Sequence, residues 1–201
     1  MRLPEQRTLG TRALLADVVL SDGQLERLGV RPSLFPGRQV SVRPGFRVRH
    51  QERLVTFRAL DEKVLFRNDV YGLAHHAGTA EIRWLIGGSS SSWRVGGVAS
   101  LGSEPDARAW TEDGEALLIE YDCGYRGRVV RDKMKAFREE GQVVWGTPSP
   151  LRAGRIAQAY PDARVVVTPW WEGPKERTVS VSGAGGGRPD VRMAGSPGRT
   201  P

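Results

Sequence analysis

The feature that most constrains this chain is the alternation of elements between residues 71 and 171, where one helical stretch, three strand-like runs, and then helix, strand, helix and strand follow in turn. Apolar periodicity carries it. In YGLAHHAGTAEIRWLI, residues Leu73, Ala77, Ala80 and Trp84 recur at helical spacing, with Glu81 on the same side. WRVGGVASL, PDARAWT and ALLIEYDC read as strands, and a helix near 127–140 shows an apolar stripe of Val130, Met134 and Phe137. QVVWGT is a buried-type strand, PLRAGRIAQAY a helix opened by Pro150, and ARVVVTPW a last strand stopped by Pro169. Strands alternating with helices require parallel crossovers in the second half of the sheet. The expected fold class is therefore α/β, in the order αβββαβαβ over residues 70–172.

Residues 1–69 read differently. TRALLADVVL and QLERLGV are short helical segments, the second opened by a capping box at Ser21-Asp22-Gly23-Gln24. A third helix is not expected, because Pro32 and Pro36 interrupt RPSLFPGR. RQVSV, FRVRH, RLVTFRAL and KVLFRN then suggest a small antiparallel meander, basic through Arg43, Arg47 and Arg49. The tract GGSSSS at 87–92 reads as a flexible loop, and residues 183–201 contain too little apolar content to fold, so a disordered basic tail is expected.

Thirty Lys+Arg against 23 Asp+Glu give a formal charge of +7 and a pI near 10.2, which suits an anionic partner such as nucleic acid or simply keeps the chain soluble. The single cysteine, Cys123, excludes an intramolecular disulfide and a cysteine zinc cluster. No apolar run approaches the roughly 18 residues that span a membrane, and MRLPEQRTLG has no signal-peptide core, so a cytoplasmic location without membrane attachment is expected.

The acids around the central hairpin carry the chemical signal. With Glu112-Asp113-Gly114 as a three-residue loop, Thr111 faces Glu115 and Asp106 falls opposite Glu120. Opposed side chains of this kind have Cβ atoms about 5 Å apart, so two carboxylates invite a hard divalent cation with oxygen ligands between them. Asp122 shares a strand face with Glu120 and is a further candidate ligand. A two-residue Asp-Gly turn would instead shift the register by one and separate the acids.

At about 100° per residue, Lys133 lies on the flank of the 127–140 stripe while Lys135 points away, so Lys133 is the lysine able to reach the strand ends. It can neutralise a scissile phosphate there, or pack its stem with the ammonium in water. Glu81, on an apolar helix face, needs a metal or a basic partner. His75 and His76 face different directions and read as surface or interface residues. Arg126 and Arg128 precede the helix where an anion can bind.

These residues carry a resemblance. The helix with Glu81, the strand opening at Pro105-Asp106, then Ile119-Glu120-Tyr121-Asp122 and a Lys133-bearing helix resemble the core of the PD-(D/E)xK nuclease superfamily. LAHHAGTAEIRWL, EPDARAW and LLIEYDCGYRGRVVRDKMKAF are similar to the C-terminal part of the replication-relaxation family of plasmid and mobile-element proteins. The resemblance implies a restriction-endonuclease-like core, magnesium held by Asp106 and Glu120 with Glu81 as a third acid, and a lysine assisting the attacking water. It also implies an N-terminal winged helix, which the prolines oppose. The motif lysine belongs at position 122, which is aspartate here, so catalysis requires Lys133 in its place.

The implied function is a DNA-binding protein acting as a magnesium-dependent endonuclease or nickase. The alternatives are a non-catalytic DNA-binding or replication accessory protein on an inactive nuclease scaffold, and a structural partner protein. DNA is the expected partner, with a homodimer or another protein left open.

Overall fold

The structure, a computed structural model, describes residues 1–44, 52–96 and 104–174. The expected strand FRVRH, Arg47, Arg49 and the tail at 183–201 lie outside the described residues.

The chain opens with helix α1 (Leu3–Asp17), started by Pro4 in its first turn. Strand β1 (Leu20–Ser21) leads straight into α2 (Asp22–Arg27) through the expected capping box: Ser21 Oγ accepts from the Gln24 amide at 3.2 Å, and Gln24 Oε1 accepts from the Ser21 amide at 3.0 Å. Only one 3-10 turn, Pro32–Leu34, follows, as the two prolines require. Strands β2 (Gly37–Val42) and β3 (Arg53–Arg58) pair antiparallel, and β1 adds to β3, giving the sheet order β1-β3-β2.

The segment KVLFRN departs from the expected strand. It lies in helix α3 (Glu62–Arg67), because the Asp61 side chain accepts from the Lys63 amide at 2.9 Å and caps the helix. That local bond, with Leu65 as the only buried residue of the turn, outweighs the weak strand preference of Val64 and Phe66. The serine tract likewise forms a 3-10 turn at Ser90–Ser92 rather than a featureless loop.

From residue 70 the elements are α4 (Val70–Leu85), β4 (Trp93–Val95), β5 (Ala107–Trp110), β6 (Ala116–Tyr121), α5 (Gly127–Arg138), β7 (Gln142–Thr147), α6 (Pro150–Ala159) and β8 (Arg164–Val167), in the expected αβββαβαβ order. They form one sheet in the order β4-β5-β6-β7-β8, antiparallel up to β6 and parallel from β6 to β8. Alternate residues of the strands face opposite sides. Ala107, Ala109, Ile119, Tyr121, Val144 and Val166 pack with Leu73, Ala77 and Ile82 of α4. On the other side Leu118, Val143, Trp145 and Val165 pack with Val130, Met134 and Phe137 of α5 and Ala153 and Ile156 of α6.

The N-terminal sheet does not stand apart. Val19, Val42, Val55, Phe57 and Leu65 belong to the same buried cluster as Leu73, Tyr121 and Trp170. Ion pairs reinforce the junction: Arg83 Nε on α4 lies 2.7 Å from Asp17 Oδ1, and Arg27 pairs with the fully buried Glu81. Among the described residues no helix is long and apolar enough to cross a membrane.

Candidate functional site

The hairpin between β5 and β6 decides the geometry. Trp110 pairs with Ala116 and Ala107 with Ile119, Thr111 N donates to Glu115 O at 3.0 Å, and Gly114 takes φ 82°. This is the three-residue-loop register. Continued by one residue, it sets Asp106 level with Glu120; the two-residue alternative is excluded.

Asp106 is 7% exposed. Its Oδ2 accepts from the Tyr121 amide at 2.7 Å, which fixes the carboxylate at the end of β6, and its Oδ1 lies 2.8 Å from His75 Nε2 of α4. Glu120 is fully buried, with Oε1 2.9 Å from Lys133 Nζ of α5, although neither of its oxygens receives a well-aligned hydrogen bond. Lys133 Nζ also donates to Glu104 O at 3.2 Å and lies over the rings of Tyr125 and Phe137. Two acids and two bases, drawn from both faces of the sheet, thus meet at one end of it.

Burial pushes the Glu120 carboxyl up to about 7, the charge of Asp106 adds to this, and Lys133 and the Tyr125 side chain act against it. Burial acts to lower His75, but its contact with Asp106 and the charge of Glu120 outweigh that, so its pKa is raised. Burial, with His75 next door, lowers His76 to about 4 and keeps it neutral. The histidines, expected as surface or interface residues, pack inside the fold: His76 is 7% exposed, and His75 stands edge-on to Tyr121 with ring centroids 5.6 Å apart. Their signal in the sequence was Gly78. A Cβ there would come within 2.3 Å of the Tyr121 ring, so the glycine marks the helix face that touches the sheet, and His75 precedes it by one turn.

Two of the candidate metal ligands are engaged elsewhere. Asp122 Oδ1 accepts from the Gly124 and Tyr125 amides at 2.7 and 2.8 Å, while its Oδ2 accepts from Trp145 Nε1 at 3.1 Å and Arg152 Nε at 2.7 Å. With its oxygens so occupied it anchors the loop before α5. Glu81 turns to the N-terminal layer, where Gln24 Nε2 donates to its Oε2 at 3.1 Å beside Arg27. Arg152, to which the sequence assigns no role, proves central to the loop, reaching both Asp122 and the Tyr125 carbonyl.

Of the basic residues, Arg43 is exposed and 3.9 Å from Glu52, Arg126 is the exposed N-cap of α5, and Arg128 faces Asp132 at 3.5 Å. They do not join the acid cluster.

Above the cluster lies a cleft of about 520 Å3 whose walls include Arg67, Tyr71, His75, Cys123 and Tyr125. Cys123 Sγ is 3.8 Å from His75 Nδ1, and burial together with the neighbouring acids pushes its thiol well up, so it is a neutral group rather than a thiolate.

Among the described residues no group of three or more His, Cys, Asp or Glu side chains is arranged to hold a metal ion. Magnesium is commonly bound through only one or two carboxylates, completed by water and substrate oxygens, so Asp106 and Glu120 suit it in donor type. Their charges are met in this structure by His75 and Lys133.

Comparison of the chain with protein-family models, curated proteins and solved structures finds no match.

Proposed function

We propose that the protein binds DNA through a nuclease-derived core in which Asp106, Glu120 and Lys133 form the hydrolytic triangle. The observation that carries this reading is their convergence: Lys133 Nζ lies 2.9 Å from Glu120 Oε1, and the hairpin register brings Asp106 level with Glu120. Three separate elements contribute one residue each to the end of a five-stranded mixed sheet. Asp106 and Glu120 would hold magnesium, which when bound supplies an activated water and charge neutralisation. Lys133 takes the place of the motif lysine and meets the negative charge of the scissile phosphate. Among the described residues it is the lysine that reaches these acids.

The second reading is a DNA-binding scaffold without cleavage. It is favoured by Asp122, which occupies the motif lysine position and is fully engaged in holding the loop. The order α1, β1, α2, a single 3-10 turn, β2 and β3, with sheet order β1-β3-β2, supports a winged helix whose groove-reading helix is cut to one turn. Such a module would contact phosphates more than bases.

One assay separates the readings. Supercoiled and single-stranded DNA are incubated with Mg2+ or Mn2+ and the wild type, Asp106→Ala or Glu120→Ala, while binding is followed across a salt series. Metal-dependent cutting by the wild type, lost in both variants, is expected. Binding that weakens steeply with salt, with no cutting, supports the scaffold reading. Absence of both overturns the proposal.

A further inference from the structure

The cleft over His75 has chemistry of its own. Tyr71 stands at its wall with 75% of its surface exposed, an unusual position for an aromatic ring in the first turn of a helix. It lies one helical turn before His75, so the two project from the same face of α4. Tyr125 also lines the cleft. Arg67 supplies a cation, Asn68 adds polar groups, and Asp69 adds a carboxylate whose Oδ1 accepts from the Gly72 amide at 2.8 Å. A cavity of about 520 Å3 is in the size range of small-ligand sites, roughly 300–1,000 Å3.

We infer that this cleft receives an unstacked base of a single-stranded nucleic acid, with Tyr71 as the stacking platform and Arg67 on the adjoining phosphate. This rests on the nucleic-acid reading of the site and specifies its substrate class. An exposed ring and a cation lining one cleft, together with a second aromatic ring and polar groups, match what a single base requires: a flat apolar face, edge contacts and one phosphate partner. A duplex fits it poorly. Among the described residues that line the cleft, Arg67 is the only base besides His75, and the Asp69 carboxylate offsets it, too little positive charge for the two phosphate rows of a double helix, while paired bases keep their faces covered. His75 ties the cleft floor to Asp106 at 2.8 Å, so a base seated there brings its strand over the acid pair.

The test uses the full chain with Tyr71→Ala and Tyr71→Phe, a fluorescent oligo(dT) strand and a duplex of equal length, read by anisotropy at fixed salt. Because Tyr71 is largely in water, both variants are expected to fold as the wild type does. Tyr71→Ala should weaken oligo(dT) binding by roughly 5-fold or more, in line with one lost stacking contact, and Tyr71→Phe should preserve it. Duplex binding should be unchanged in both. Unaltered oligo(dT) binding by Tyr71→Ala, or an equal loss on strand and duplex, overturns the base cleft while leaving the DNA-binding reading intact. If neither nucleic acid binds the wild type in a salt-dependent manner, the DNA-binding reading fails and the cleft assignment falls with it.

Discussion

Lys133 and Glu120 form a pair whose balance depends on pH. The glutamate's pKa is raised to about 7 from an ordinary value of 4.5, so its ionisation costs the folded state stability as pH rises through that window. The ammonium 2.9 Å away offsets part of that cost, and only while the carboxylate is charged. Lys133→Met keeps the apolar stem and deletes the cation. It is expected to lower stability by roughly 3 kcal/mol at pH 8, where a buried charge loses its partner, and by much less at pH 5.5, where Glu120 is protonated. Urea unfolding at the two pH values measures this; an equal loss at both would assign Lys133 to packing over Tyr125 and Phe137 instead. This pair was legible in the sequence because short-range geometry fixes it: a hairpin loop sets the register of Asp106 and Glu120, and helical periodicity sets the direction of Lys133. The fate of Asp122 was not. Its partner Arg152 comes from a helix 30 residues further on, and strand alternation says which face a side chain takes but not who waits there.

At the scale of elements, α4 is the piece against which the others assemble, since its residues reach Asp17 on α1, Arg27 on α2 and Asp106 at the start of β5. Gly78 permits its approach to the sheet, with the Tyr121 ring where a Cβ would stand. Helix propensity alone predicts that Gly78→Ala gains about 1 kcal/mol. The packing predicts the opposite sign: a ring buried on all sides cannot yield, and a loss of about 1–3 kcal/mol is expected from overpacking. Thermal unfolding of this variant decides between them, and a raised Tm would mean that α4 sits further from β6 than described. Read from sequence, this glycine is a slight weakness in a helix; in the fold it is a contact. The same difference of viewpoint explains α3, where one capping aspartate set the conformation of residues 63–67, which a propensity count assigned to a strand.

For the whole molecule, the question is whether residues 1–69 are an attachment or a part. The sequence suggests a boundary near residue 70, where strand-like runs give way to a helical period, yet period says nothing about what a helix packs against on its far side. Helix α4 has the sheet of β4–β8 on one flank and the N-terminal layer on the other, where Ala80 joins Leu14, Leu20 and Leu25 in a buried cluster. Val19, Val42, Val55, Phe57 and Leu65 meanwhile share a cluster with Tyr121 and Trp170. Each large apolar side chain so buried contributes roughly 1.5–3 kcal/mol. Five of them therefore match the net stability of a typical domain, about 5–15 kcal/mol. Removing the N-terminal layer would also leave Glu81 without Arg27 and Arg83 without Asp17. The full chain is accordingly expected to unfold in one transition, with far-UV and near-UV circular dichroism coincident. A fragment of residues 70–174 is expected to lack a cooperative transition and to expose apolar surface to a dye such as ANS. A fragment that instead unfolds cooperatively, with stability within about 2 kcal/mol of the full chain, would show that the sheet and its three helices are self-sufficient and that the N-terminal layer is docked on a finished core.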